Sequence, residues 1–127
     1  MDNLKDNKEI AVFVVNLVSK LYKLGDGVLV EFKPASAFPN PEVTASVSRD
    51  YRIIYNIDRL NVCPDYEVFI TSFYEMWHIY QYCCIDFGNK LRYRKLFSEP
   101  KERVQQWEYE FKHYYVSDIE NDPKYLK

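Results

Sequence analysis

Val43-Thr44-Ala45-Ser46-Val47-Ser48-Arg49-Asp50-Tyr51-Arg52-Ile53-Ile54-Tyr55-Asn56-Ile57 is the stretch on which the reading of the fold turns. Apolar and polar residues alternate over 43–47 and again over 52–57, the period of a strand with one buried face. Ser48-Arg49-Asp50 between them has the chemistry of a hairpin turn. A weaker alternation over 28–32 predicts a third strand upstream. Pro34, Pro39 and Pro41 punctuate the gap that follows it, which therefore reads as an irregular loop and not as a central strand. Together these pieces predict a small antiparallel sheet.

Helices are expected on both sides of it. Over residues 6–24, Ile10, Phe13, Val14, Leu17, Val18, Leu21 and Leu24 recur at spacings of three and four and form one apolar stripe. Asp6 with Glu9 three residues on has capping-box spacing, and Gly25 is placed to end the helix in a left-handed conformation. Asp26-Gly27 then turns the chain. A second helix starts at Asp65 after Pro64 and ends before Gly88, with Phe69, Phe73, Met76, Trp77, Tyr80 and Cys84 on its apolar face. A third covers 101–116, with Val104, Trp107, Phe111, Tyr114 and Tyr115 on one side. The expected fold class is α+β, a small antiparallel sheet packed against about three helices in one domain over 1–127. Phe13, Leu17, Ile54, Phe73, Trp77, Trp107 and Phe111 are its expected common core.

Composition bounds the function. The chain has 127 residues, 47% of them hydrophobic and 28% charged, as in folded globular proteins. Twelve Tyr, eight Phe and two Trp bring the aromatic share to 17%, material for a core or for a protein-binding surface. The longest apolar run, residues 10–15, is far short of the roughly 20 needed to span a bilayer. The N-terminal residues lack the basic-then-apolar order of a secretory signal. Cys63, Cys83 and Cys84 are odd in number, and a bond between the adjacent pair would be strained, so a reduced, cytoplasmic setting is expected. Three glycines in total exclude glycine-rich phosphate cradles, and no G-x-S-x-G occurs.

One constellation carries chemical meaning. Tyr74-Glu75-Met76-Trp77-His78 reads as H-E-x-x-H with Tyr74 in place of the first His. In the intact motif two histidines one helical turn apart grip zinc, and the Glu polarises the attacking water. The order of elements, and the phrases Glu75-Met76-Trp77-His78-Ile79-Tyr80-Gln81 and Gln106-Trp107-Glu108-Tyr109-Glu110-Phe111, make residues 50–126 resemble the small zincin-like metallopeptidase-related proteins of phages and mobile elements of Gram-positive bacteria. The resemblance implies a minimal zincin-like scaffold. It also implies a third zinc ligand, a Glu on a helix after the region matched by Asp122-Pro123-Lys124-Tyr125-Leu126, for which the chain has no counterpart. A catalytic zinc needs three protein ligands and an open position. The expectation is thus no catalytic residues, only the motif remnant Tyr74, Glu75 and His78. A rearranged zinc site would draw on His78, Glu75 and His113, with Glu110 and the cysteines as further donors. Against it stands the reading of His78 as a hydrogen-bonded remnant in a half-buried cleft and of His113 as a helix-surface residue.

Charge is unevenly spread. Residues 90–103 carry +4 and read as a basic linker, leaving −6 elsewhere, with acidic clusters at Asp65/Glu67 and, in an irregular tail over 117–127, at Asp118/Glu120/Asp122. The overall net charge of −2 argues against direct nucleic-acid binding. An acidic, Tyr-bearing surface suits a basic groove on another protein. Mobile elements reuse scaffolds of the resembled kind as inhibitors of host defence, anti-CRISPR proteins included. The resemblance therefore implies a non-catalytic binding protein whose partner is a host protein, an RNA-guided CRISPR nuclease foremost. A zinc-dependent peptidase or zinc-binding protein with rearranged ligands is the alternative, a structural phage protein is a third class, and homodimerisation stays open.

Overall fold

The computed structural model describes residues 6–25, 27–88, 97 and 99–115. The expectations for Asp26, for residues 90–96 of the basic stretch, for the side chains of Tyr114 and Tyr115 and for the acidic tail lie outside the described residues. Contacts divide the chain into two compact units, residues 1–80 and 81–127.

The first unit opens with α1 (Asn7–Leu21). Its N-cap is Asp6, whose carboxylate accepts from the Glu9 N–H at 2.9 Å, satisfying one of the orphan amides of the first turn. The C-terminus differs from expectation. Lys23, not Gly25, closes the helix with a left-handed φ of 58°. Its N–H donates to the Lys20 carbonyl and the Leu24 N–H donates to that of Ser19 at 2.8 Å, the paired bonds of a Schellman cap. Gly25, also at positive φ, serves the turn beyond.

The expected stripe is also corrected. α1 buries Ile10, Ala11, Val14, Val15, Val18 and Ser19, while Phe13, Leu17 and Leu21 are exposed, Phe13 by 52%. Residues 10–18 are apolar at every position but Asn16, so periodicity alone does not choose the buried side. The face that packs is the one with the slimmer Ala and Val side chains, which let the backbone approach its neighbours closely.

β1 (Leu29–Lys33), β2 (Ala45–Ser48) and β3 (Arg52–Asn56) form one sheet in the order β1-β3-β2. β2 and β3 are the expected antiparallel hairpin. Its turn closes by a bond from the Tyr51 N–H to the Ser48 carbonyl at 3.0 Å, with Tyr51 in the left-handed region that ends a three-residue loop. The sheet as a whole is mixed, not antiparallel: β1 pairs with β3 in parallel, Phe32 beside Tyr55. The physical reason is connection length. The proline-broken segment with its 3-10 turn (Ala35–Ala37) and the β2 hairpin carry the chain back to the start of the sheet before β3 runs alongside β1.

β3 ends at Asn56, which is completely buried and fully bonded. Its side-chain amide donates to the carbonyls of Pro41 and Val43 at 2.8 and 2.9 Å. Its side-chain oxygen caps α2 (Ile57–Leu60) through the N–H groups of Asp58 and Arg59. The strand period runs on to Ile57 in sequence, and a one-turn helix is too short to show a period of its own. Asn7 fastens the start of α1 to the following bend by donating to the carbonyls of Leu60 and Cys63.

α3 (Asp65–Phe87) has the expected bounds. Within the first unit Val68, Ser72, Met76, Ile79 and Tyr80 are buried, whereas Phe69 and Phe73 of the expected face are exposed. α3 carries few charges to mark a solvent side, so its ring-bearing and slender faces look alike in sequence. Of the seven expected core residues, Ile54 and Trp107 are buried, Trp77 and Phe111 half-buried, and Phe13, Leu17 and Phe73 exposed.

The second unit holds the end of α3, where Gln81, Tyr82, Cys83 and Cys84 are buried, then Gly88, Phe97 and α4 (Lys101–Glu110) running into a π turn (Phe111–Tyr115). The ring of Tyr82 packs on Phe111 at 4.8 Å and that of Phe87 on Phe97 at 6.4 Å. Trp107 is buried beneath the Arg103 guanidinium at 5.4 Å. At Gly88 a side-chain carbon would run into the Cys84 carbonyl oxygen, to which the Gly88 N–H donates at 2.9 Å. The helix end therefore requires glycine.

Candidate functional site

The motif remnant sits mid-way along α3, and helical geometry separates its members. At 100° per residue, Glu75 points to the same side as Val68, Ser72 and Ile79, all buried. Tyr74 is turned away from that side and is 54% exposed, while His78 is buried between the two directions. The rings of Tyr74 and His78 meet edge to face at 4.7 Å, so the two ligand positions of the motif do lie on one face, one turn apart.

Glu75 is half-buried, on the side of α3 where the Tyr55–Ser72 pair makes a polar pocket in an otherwise apolar interior. The hydroxyls of Tyr55 and Ser72 share a buried hydrogen bond of 2.7 Å, and the Glu75 charge is felt at Tyr55. Loss of water raises the Glu75 carboxyl from the usual carboxylate range up to about 8, so it carries its proton at neutral pH. Burial likewise pushes the Tyr55 phenol up, more than the Ser72 bond lowers it, with the neighbouring Glu75 adding to the rise. Beyond this pocket Trp77 stacks on Tyr80 at 5.4 Å, and Tyr22 packs on Tyr80 at 4.6 Å.

The remaining donors have other surroundings. His113 is exposed on the π turn of the second unit, stacked on Tyr109 at 4.0 Å, its Nδ1 3.0 Å from the Tyr109 carbonyl. Cys63, Cys83 and Cys84 are buried thiols without disulfides. Among the described residues no group of three or more His, Cys, Asp or Glu is placed to hold a metal ion. Glu75, on the inward side of α3, and His78, against Tyr74, do not converge with a third donor among the described residues, as zinc requires. These residues do not fit the zinc site that the resemblance implies.

Of the acidic pair at the start of α3, Glu67 is structural. It accepts from Thr44 Oγ1 at 2.7 Å and from Arg59 at 3.0 Å, which hold its carboxyl below the usual range. Asp65 is exposed. The feature that sequence reasoning missed is the outer face of α3. Tyr66, Phe69, Ile70, Phe73 and Tyr74 are all exposed, Tyr66 and Ile70 by 64% each. They span an arc of about 140° and a length of about 12 Å along the helix. The signal is present in the 3–4 spacing of these residues, a spacing that equally suits a core face.

No helix among the described residues is long and apolar enough to cross a membrane. Comparison of the chain with protein-family models, with curated proteins and with solved structures finds no match.

Proposed function

We propose that this chain is a non-catalytic binding protein that acts by protein–protein contact through the outer face of α3, and that its partner is a host defence nuclease of the RNA-guided kind. The observation that carries the binding reading is the exposed row Tyr66, Phe69, Ile70, Phe73 and Tyr74. Aromatic residues set outward in a contiguous stripe are the composition of interface centres, and a folded monomer gains nothing by wetting them. The exposed carboxylate of Asp65 adjoins the stripe, which suits a basic partner surface; nucleic-acid channels of RNA-guided nucleases are such surfaces. The choice of nuclease as partner comes from the resemblance to mobile-element proteins. The non-catalytic part is supported by the ligand positions of the motif remnant, where an exposed Tyr74 stands in place of an imidazole beside His78.

The test is cleavage of target DNA by a purified Cas9-type nuclease of a Gram-positive bacterium, titrated with the chain. Suppression at near-equimolar ratio is expected, lost in Phe69→Asp/Phe73→Asp and kept in Glu75→Gln. Peptide hydrolysis by the purified chain, abolished in both Glu75→Gln and His78→Ala, would instead place it among the hydrolases.

A further inference from the structure

β1 is an edge strand. Its pairing with β3 starts with the Leu29 N–H donating to the Tyr51 carbonyl at 3.1 Å. In a parallel ladder that phase commits the main-chain groups of residues 29, 31 and 33 to β3 and turns those of Val30 and Phe32 outward. Among the described residues no strand pairs with that outer side.

The side chains of Phe32 and Val30 lie on the face of the sheet where Phe32 stacks on Tyr55 at 5.7 Å and Tyr55 meets Ser72 of α3. On this face α1 stops short of filling the layer. Lys8, Glu9, Val12 and Phe13 of α1 and Phe32 of β1 line an open groove of about 390 Å³, apolar along its length, with the Lys8 ammonium 5.5 Å from the Phe32 ring. A strand added to β1 would lie roughly 4.8 Å further out. Every second side chain would then descend beside Val12 and Phe13, covering residues of α1 that are otherwise exposed.

We propose that the β1 edge is a strand-addition site for an extended peptide segment of a partner. Its alternate residues would be apolar and fill the groove, with a carboxylate set to meet Lys8. Main-chain bonds to Val30 and Phe32 supply affinity and the groove supplies selectivity, as in other edge-strand recognition. A foreign segment fits better than a second copy of β1. Antiparallel self-pairing of Val30 with Phe32 sets Glu31 opposite Glu31, like charges across a pair. The registers that avoid this bring Val28 or Pro34, outside the strand, against the outward groups, and Pro34 has no N–H to give. The site is independent of the α3 face.

The probe is a fluorescein-labelled peptide, Asp-Val-Thr-Phe-Thr-Val-Asp, read by fluorescence anisotropy on the full chain. Saturable binding is expected, with a peptide bearing Pro at both Thr positions failing to bind. Val30→Pro removes an outward donor without touching the β3 ladder and should weaken binding at least about tenfold. Phe13→Ser should weaken it several-fold, and Lys8→Glu should reverse the preference between the Asp-ended peptide and its Lys-ended counterpart. Phe69→Asp/Phe73→Asp should leave it unchanged. If Val30→Pro loses its circular dichroism, Phe13→Ser, at an exposed position, decides alone. Absence of saturable binding, or equal binding by wild type and Phe13→Ser, overturns the proposal. So does light scattering that finds a wild-type dimer and a Val30→Pro monomer while neither takes the peptide, which would assign the edge to a second copy.

Discussion

Replacing Glu75 with Gln should make the protein more stable at alkaline pH and erase part of its pH dependence. The carboxyl stands at about 8 in the fold against 4.5 in an unfolded chain. Between those values the folded state holds a proton that the unfolded state has released, so stability falls as pH rises. It is complete below about pH 4.5, declines through neutrality and levels off above about pH 8. The ceiling on the loss is about 1.36 kcal/mol for each pH unit separating the two values, about 5 kcal/mol in all. Glu75 keeps some contact with water, so roughly 2–4 kcal/mol is the working figure. Gln keeps the shape and the neutral state at every pH. Urea titrations from pH 5 to 9 on both proteins give the difference directly, since the two proteins share every other ionisable group. The Gln-minus-wild-type stability should climb by that amount from pH 5 to 8.5. A flat difference, or one of opposite sign, would refute the desolvation of the Glu75 carboxyl on the inward side of α3.

Other positions carry comparable expectations. Asn56→Ala removes a helix cap and strips the Pro41 and Val43 carbonyls of their donors, at a cost of about 2–4 kcal/mol in chemical denaturation. Lys23→Gly relieves a left-handed non-glycine residue at the end of α1 and should raise stability by about 1 kcal/mol, read as a higher melting temperature. Gly88→Ala forces a carbon against the Cys84 carbonyl and should lower the melting temperature by several degrees. Trp77→Ala should cost about 2–3 kcal/mol, below the roughly 3–5 of a fully buried ring, because Trp77 is half-buried while stacked on Tyr80.

The parts of the fold legible in sequence are those with a local cause. The 48–50 turn, the ends of α3 at Pro64 and Gly88 and the Asp6 cap each follow from a residue whose backbone or side-chain chemistry acts within a few positions. The pairing of β1 with β3 is decided by contacts more than twenty residues apart, and no pattern within 28–33 announces it. Which side of α1 and α3 is buried is illegible for another reason. Both helices are apolar around most of their circumference, and the selection rests on the fit of Ala11, Val14, Val68 and Ser72 to their neighbours, a tertiary property. The same ambiguity hides the candidate binding face: Phe69 and Phe73 read as core because large rings usually belong there. The motif remnant is legible as residues, but the inward direction of Glu75 toward Tyr55 is not.

The claim that α3 binds a partner through its outer face is tested most directly by one titration. Purified chain, Phe69→Asp/Phe73→Asp and Glu75→Gln are each added to an RNA-guided nuclease and its target DNA, and cleavage is measured against molar ratio. Inhibition by wild type and Glu75→Gln, with the double variant folded but inactive, is the predicted result. Inhibition equal in all three, or none from any of them, would contradict it.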